Sequence, residues 1–219
     1  KNLNQKISVA NWAGYSTLTI PVINFKLLRE KLGILDKSID ILEHVENATT
    51  KEEKQRRKQV VEDFEDEGDR LLKLQPNLHK LFYFLKKNNL KRALLTRNKQ
   101  SAVDTFVHKF IQNDERNLFN NENEIFLNTL TRDFKPVKPH PAPIQHICKQ
   151  WGVPCENVLM VGDDVQDIQS GNAAGAVTVR KVKADTQNVK WNEDIAINDL
   201  SELIDLLDKS FDVRKNDED

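Results

Sequence analysis

The sequence predicts an α/β fold, in which a parallel β-sheet carries helices on both faces and an all-helical block follows the first strand. Three observations lead to this prediction. Apolar, strand-like runs alternate with amphipathic segments along most of the chain, which is the pattern of successive β-α units. The run Val158–Val161 passes directly into a cluster of acidic residues, as expected where a buried parallel strand ends at a ligand site. Residues 21–75 interrupt the alternation with helical patterns and no convincing strand.

Strands are predicted wherever a short apolar run is bounded by turn signals. In chain order these runs are Ile7–Ala10, Arg92–Leu95, Ile125–Thr129, Val158–Val161, Ala176–Val179 and Asp194–Ile197. Strands of a parallel sheet are covered on both faces, so their apolar side chains belong to the core. The residues expected to be buried there are Leu94, Leu95, Leu159, Val161, Val177 and Val179.

Helices are predicted between these strands from apolar residues that recur every three or four positions. Such spacing covers residues 78–85 and 102–110, and Pro141 begins a further helix. Asp199 with Glu202 three residues later indicates the start of the last helix. Within the inserted block, Thr50 and Glu53 resemble a capping box. The chain therefore divides into a core of residues 1–20 and 76–210, a helical cap of 21–75 and a polar tail of 211–219.

The bulk composition indicates a soluble globular protein. The 219 residues include 33 Lys and Arg against 34 Asp and Glu, so there is no charge excess that favours nucleic acid or a membrane surface as a partner. No apolar stretch approaches membrane-spanning length. Two cysteines and no signal-peptide pattern favour a reducing, cytoplasmic location. The first residue is Lys rather than Met, so a removed targeting segment stays open as an alternative.

The acidic cluster after the fourth strand is the strongest chemical signal in the chain. Gly162 permits a tight turn, Asp163 and Asp164 follow at the strand end, and Asp167 comes one helical turn later. Carboxylate oxygens in this arrangement suit Mg²⁺. The structural alternative is that Asp163 or Asp164 only caps the helix that begins here.

Two further polar signals follow strand-like runs. Thr96, with Arg97 and Asn98 after it, offers a hydroxyl and backbone N–H groups that can hold a phosphate oxygen. Lys138 lies between Pro136 and Pro139, which stiffen the backbone around an ammonium group suited to neutralising phosphate charge. Each signal alone is also compatible with an ordinary surface turn.

The order of these signals resembles the haloacid dehalogenase-like (HAD) superfamily, and in particular its phosphoglycolate-phosphatase-like members. Thr96 matches the hydroxyl of the second family motif, Lys138 the lysine of the third, and Asp163 with Asp164 the acids of the fourth. The resemblance implies a Rossmann-like three-layer core, a small helical cap, and phosphatase chemistry with Mg²⁺. It implies phosphate binding by the residues at 96–98 and 138, and metal binding by Asp163, more weakly by Asp164, with Asp167 beside them.

The first family motif is degenerate, however. Members carry two aspartates there, a nucleophile and an acid/base, in the pattern hhhhDxDGTL. Aligned without a gap on Thr17 and Leu18, the nucleophile position is Ala13, the acid/base position is Tyr15, and Ser16 replaces the glycine. A two-residue insertion would instead give Asn11 and Ala13. Both registers lose both carboxylates, and we prefer the ungapped one.

The sequence therefore favours a pseudophosphatase that binds a phosphorylated small molecule or a protein partner. One alternative is a Mg²⁺-dependent phosphohydrolase of small phosphoesters whose aspartates have been replaced by an engineered or recent change. Another is a purely structural subunit. With Ala13 at the nucleophile position, we expect Lys138 to pair with Asp163 or Asp164, and Mg²⁺ binding to be weak or absent.

Overall fold

The computed structural model describes residues 9–13, 15–20, 22–36, 38–115, 119 and 124–215. The chain divides into two compact units, one made of Lys1–Ile20 with Leu74–Asp219 and the other of Pro21–Lys73. The boundaries predicted from sequence lie after residues 20 and 75.

The first unit is built on a six-stranded sheet. Its strands are β1 Val9–Ala13, β4 Lys91–Leu95, β5 Asn128–Leu130, β6 Val158–Gly162, β7 Val177–Lys181 and β8 Ile195–Ile197. They lie in the order β5-β4-β1-β6-β7-β8, and neighbouring strands are parallel. Two short strands, β2 Thr19–Ile20 and β3 Lys73–Leu74, lie where the chain leaves and re-enters this unit. The predicted α/β class with a parallel sheet is confirmed.

The first and third predicted strands differ most from the observed ones. Residues 7 and 8 of the predicted first strand lie outside the described residues, and β1 runs on to Ala13. The prediction of a strand over Ile125–Thr129 is wrong at its start, because β5 begins only at Asn128. The reason is the Arg92 side chain, whose guanidinium donates to the carbonyls of Glu124 and Ile125 and so takes acceptors that a strand neighbour would use.

Helices cover the sheet between successive strands. In this unit they are α1 Tyr15–Leu18, α5 Leu78–Lys87, α6 Gln100–Gln112, α7 Ala142–Trp151, α8 Val165–Ala174 and α9 Leu200–Lys215. The last helix continues through Lys215, and residues 216–219 lie outside the described part of the chain. The core residues expected from sequence are confirmed, since Leu94, Leu95, Leu159, Val161, Val177 and Val179 are all buried.

The second unit is helical in its described residues, with α2 Phe25–Leu32, α3 Ile41–Glu46 and α4 Lys51–Leu71. Thr50 caps α4 by accepting the backbone N–H of Glu53. The small core of this unit consists of Leu28, Leu32, Ile34, Val45 and Val61. The expectation that residues 40–70 contain no strand holds for all of them.

Among the described residues, none of the helices combines the length and the apolar character that crossing a bilayer requires.

Candidate active site

The predicted site lies at one edge of the sheet, where three neighbouring strands end. β1 pairs with β4 on one side and with β6 on the other, and Ala13 is in register with Leu95. Thr96 directly follows β4 and Asp163 directly follows β6. Because carboxyl ends of parallel strands share an edge, residues that are far apart in sequence meet here. The side chains of Ala13 and Tyr15 lie outside the part of the chain that the structure describes.

Asp163 is almost fully buried, at 4% exposure. Its Oδ1 accepts a hydrogen bond from the Thr17 hydroxyl at 2.6 Å. Its Oδ2 lies 2.6 Å from Nζ of Lys183. Both carboxylate oxygens therefore already have a donor from the protein, one of them a cation.

Lys138 has a different partner from the one expected. Its Nζ lies 2.7 Å from Oδ1 of Asp167 and 3.1 Å from the carbonyl oxygen of Leu95. The expectation that Asp163 or Asp164 pairs with Lys138 is therefore wrong. Asp167 pairs with Lys138 instead, because only two residues separate the end of β6 from helix α8 and the first turn of that helix directs this carboxylate back toward the strand end.

Asp167 also organises the turn that precedes its helix. Its Oδ2 accepts the backbone N–H groups of Asp163 at 3.2 Å and of Asp164 at 3.1 Å. Burial raises the pKa of Asp167, and the Lys138 ammonium counteracts that rise. Gly162 makes the arrangement possible, because a Cβ at that position would collide with the Asp167 side chain.

Asp164 is exposed and begins helix α8. Its Oδ1 accepts the backbone N–H of Gln166 at 2.9 Å, and with Asp167 it forms a capping box. In this structure Asp164 thus has the helix-capping role that was the structural alternative to metal binding.

The predicted phosphate-binding residues are grouped beside these acids. Thr96 and Lys138 are 4% and 5% exposed. They line one pocket together with Leu95, Leu130, Thr131, Phe134 and Pro143. Its volume of about 10 Å³ is roughly what one oxygen-sized atom or a water molecule needs.

Arg97 and Asn98 are committed to contacts within the protein. The backbone N–H of Asn98 donates to Thr96 Oγ1 at 3.1 Å. This N–H was expected to be available to a phosphate oxygen, and it is not. The Arg97 guanidinium donates to Oε1 of Gln166 at 2.7 Å. The Thr96 hydroxyl and the Lys138 ammonium are therefore the better candidates for ligand contact.

The described residues of the site do not fit Mg²⁺. Mg²⁺ requires several oxygen ligands, usually including one or two carboxylates that are available to the ion. Within the described residues, no three His, Cys, Asp or Glu side chains are grouped to hold a metal. Asp163 is the acid best placed for an ion, and its oxygens are bound by Thr17 and Lys183.

Lys183 is the site residue that sequence reasoning missed. It follows β7, which is the neighbour of β6 in the sheet. Burial would lower the pKa of Lys183, but the Asp163 carboxylate outweighs burial and raises it. The signal available in the sequence was a lysine four residues beyond the predicted strand Ala176–Val179, which is too common a pattern to identify a site.

Comparison with known proteins assigns the family. Residues 29–181 match the model of the haloacid dehalogenase-like hydrolases. The chain belongs to this family. A haloacid dehalogenase-like hydrolase domain-containing protein of Arabidopsis thaliana is 34% identical over 214 residues, covering 90% of this chain and 82% of that protein. An uncharacterized hydrolase of Saccharomyces cerevisiae is 33% identical over 187 residues, covering 84% of this chain and 82% of that protein.

Two further comparisons bear on the HAD-like assignment. An N-acetylmuramic acid 6-phosphate phosphatase of Pseudomonas aeruginosa is 36% identical over 78 residues, which are 34% of each chain. The crystal structure of a predicted phosphoglycolate phosphatase from Haemophilus somnus superposes with a TM-score of 0.69 at 17% identity, covering 93% of this chain and 99% of that one. The predicted HAD-like fold is confirmed. The family model begins at residue 29, so its match leaves out Ala13 and Tyr15.

Proposed function

We propose that this HAD-like protein is a pseudophosphatase, which binds a phosphorylated ligand without hydrolysing it. The observation that carries the proposal is the pairing of charges in the cleft. Asp167 is paired with Lys138 and Asp163 with Lys183, at 2.7 and 2.6 Å. The chain itself thus neutralises Asp163, the acid expected to bind the metal most directly, and Asp167 beside it.

The chemistry of the first motif supports the absence of turnover. In the preferred register the nucleophile position is Ala13, whose methyl group cannot attack phosphorus. The acid/base position is Tyr15, and an ordinary phenol with a pKa of about 10 is a poor base at neutral pH. Without a nucleophile no aspartyl-phosphate intermediate forms.

The binding part of the proposal rests on the groups that remain available. A lysine ammonium has three hydrogens, and the described contacts of Lys138 use two of them. No described residue accepts the hydroxyl hydrogen of Thr96. The pocket that both residues line has space for one phosphate oxygen. The relatives named for small phosphate esters support a phosphorylated small molecule as the first ligand to test, with a protein partner as the second.

The first prediction concerns turnover. We expect no hydrolysis of small phosphoesters above background with Mg²⁺, because both carboxylates of the first motif are absent. The assay compares the chain with an Ala13→Asp, Tyr15→Asp, Ser16→Gly variant, which restores the motif in the preferred register. Clear Mg²⁺-dependent turnover by the unchanged chain, lost in Asp163→Ala, would show that the protein is a phosphohydrolase.

The proposed binding is tested by titrating inorganic phosphate into the protein in a calorimeter, with and without Mg²⁺. We expect binding at millimolar phosphate with little dependence on Mg²⁺, and its loss in Lys138→Ala. Lys135→Ala is the matched control, since Lys135 is an exposed lysine in the same loop. If phosphate does not bind, or binds equally to Lys138→Ala, the structural-subunit alternative becomes the better account.

A further inference from the structure

The ion pair between Lys183 and Asp163 places a positive charge directly against the acid that was expected to bind a metal. Nζ of Lys183 lies 2.6 Å from Oδ2 of Asp163. The Asp163 side chain is 5% exposed and therefore shielded from water, whereas that of Lys183 is 32% exposed and reaches the surface. Hydrogen bonds of this length between two ionised groups are among the stronger polar contacts in proteins.

We propose that Lys183 is a tethered cation, which occupies the position at Asp163 where a divalent ion would otherwise bind. In this arrangement the lysine excludes the metal, and the cleft holds its anionic ligand without one. The inference deepens the proposed function, on which it rests only for the identity of the anion. The competition between Lys183 and a metal ion stands on the ion pair alone.

The backbone around Lys183 keeps the ammonium in place. Thr186 ties the turn, because its backbone N–H and its hydroxyl both donate to the carbonyl of Lys183. The preceding residue, Val182, donates its N–H to the carbonyl of Ile197 at the end of β8. Lys183 therefore extends from a turn whose backbone is fixed to the sheet, so that contact with Asp163 costs the freedom of the lysine side chain but not that of the turn.

Charge balance favours the lysine over a divalent ion. With Lys138 and Lys183 facing Asp167 and Asp163, the described ion pairs of the cleft sum to zero. A divalent ion at Asp163 would have to displace the Lys183 ammonium and give up a charge-assisted hydrogen bond. The displaced Lys183 ammonium would remain tethered to the same turn and would repel the ion.

The test is direct binding of Mn²⁺, measured by electron paramagnetic resonance of the free ion. We expect negligible binding to the unchanged protein and a gain of about tenfold or more in affinity in Lys183→Met, where an apolar chain of similar length replaces the cation. Lys190→Met is the matched control, because Lys190 is exposed on the same connecting segment, and it should bind no better than the parent.

Two further variants make the result specific. Adding Asp163→Asn to Lys183→Met should remove the gain, since the freed carboxylate is then absent. Lys183→Gln repeats the experiment with a neutral side chain that can still donate to Asp163, in case Lys183→Met does not fold. The inference is overturned if Mn²⁺ binds the parent as tightly as Lys183→Met, or if the gain persists with Asp163→Asn.

The outcome is separable from that of the proposed function. If phosphate fails to bind but the Mn²⁺ pattern holds, the pseudophosphatase proposal is wrong and the role of Lys183 stands. If phosphate binds without Mg²⁺ but Lys183→Met gains no affinity for Mn²⁺, the role given to Lys183 is wrong and the pseudophosphatase proposal stands.

Discussion

Asp167 shows how one side chain holds several segments of the site together. Its Oδ1 binds the Lys138 ammonium, and its Oδ2 accepts two backbone N–H groups of the turn after β6. A buried carboxylate is tolerated only when its oxygens are satisfied in this way. The position of Lys138 in the pocket that it lines with Thr96 thus depends on a residue that does not line that pocket.

Substitution at Gly162 tests this dependence. In Gly162→Ala the new methyl would collide with the Asp167 side chain and push its carboxylate away from Lys138. We expect a loss of about 1–3 kcal/mol in the free energy of unfolding, and weaker phosphate binding as well. Urea unfolding and phosphate calorimetry measure the two effects.

A glycine at the end of helix α7 provides the control for this substitution. At Gly152 the backbone is left-handed, with φ of 65°, and an added Cβ meets no atom within 4 Å. Gly152→Ala should therefore cost stability through the backbone alone and leave phosphate binding unchanged. Equal phosphate affinity in Gly162→Ala and the parent protein would contradict the role given to Asp167.

Single residues were predictable where they directly follow a strand. Thr96 and Asp163 come immediately after β4 and β6, and the sheet brings them to one edge as expected. The partner of Lys138 was not predictable, because the choice between Asp163 and Asp167 depends on where the first turn of α8 points. Lys183 was missed since nothing local distinguishes it from other lysines.

At the scale of elements, the start of helix α9 shows a sequence signal that the structure reproduces. Oδ1 of Asp199 accepts the backbone N–H of Ser201 at 2.7 Å and the side-chain amide of Asn77 at 2.9 Å. Glu202 in turn accepts the backbone N–H of Asp199 at 3.2 Å. Asp199 and Glu202, the pair predicted from sequence as a helix start, therefore each accept a backbone N–H at the first turn of α9, as in a capping box.

The Asp199 cap gives a pH-dependent prediction. Burial alone would raise the pKa of Asp199, but the hydrogen bonds from Ser201 and Asn77 lower it below its ordinary value. A carboxylate with a depressed pKa stabilises the fold above its unfolded pKa of about 3.9 and loses that effect as the pH falls through its folded pKa. Asp199→Ala should cost about 1 kcal/mol at neutral pH and clearly less near pH 3.

Urea unfolding at both pH values measures this difference. Asp199→Asn is the control, because asparagine caps helices about as well as aspartate without titrating. A cost of Asp199→Ala that stays the same near pH 3 would mean that the charge of Asp199 does not contribute.

Elements were less predictable where a side chain replaces a strand partner. The start of β5 was misplaced because the Arg92 guanidinium, rather than a neighbouring strand, satisfies the carbonyls of Glu124 and Ile125. Apolar residues such as Ile125 and Phe126 have the composition of a strand and are buried here without belonging to one. The pattern of apolar residues in a sequence indicates which residues are buried, but it does not indicate which groups donate hydrogen bonds to their carbonyls.

For the whole molecule, the proposed function predicts which solutes stabilise the fold. A ligand that binds only the folded state adds about 1.4 kcal/mol when it is present at ten times its dissociation constant. In a chain of this size that raises the thermal midpoint by a few degrees. We expect phosphate to raise the midpoint in this way and Mg²⁺ alone to leave it unchanged.

Differential scanning fluorimetry with each salt makes the measurement, with sodium chloride at matched ionic strength as the control for screening. The phosphate effect should disappear in Lys138→Ala. A rise with Mg²⁺ alone that equals the rise with phosphate would count against the pairing of Asp163 with Lys183.

The ion pair of Lys183 with Asp163 also bears on how such a protein could change over evolutionary time. Under the proposed function, hydrolysis would require acidic residues at positions 13 and 15 and also the removal of the lysine at 183, which pairs with Asp163. Removing that lysine first would leave the buried Asp163 carboxylate without its cation, which destabilises a fold. The order of substitutions would therefore matter, and a chain that holds Lys183 is expected to change less readily toward metal-dependent chemistry than one that lacks it.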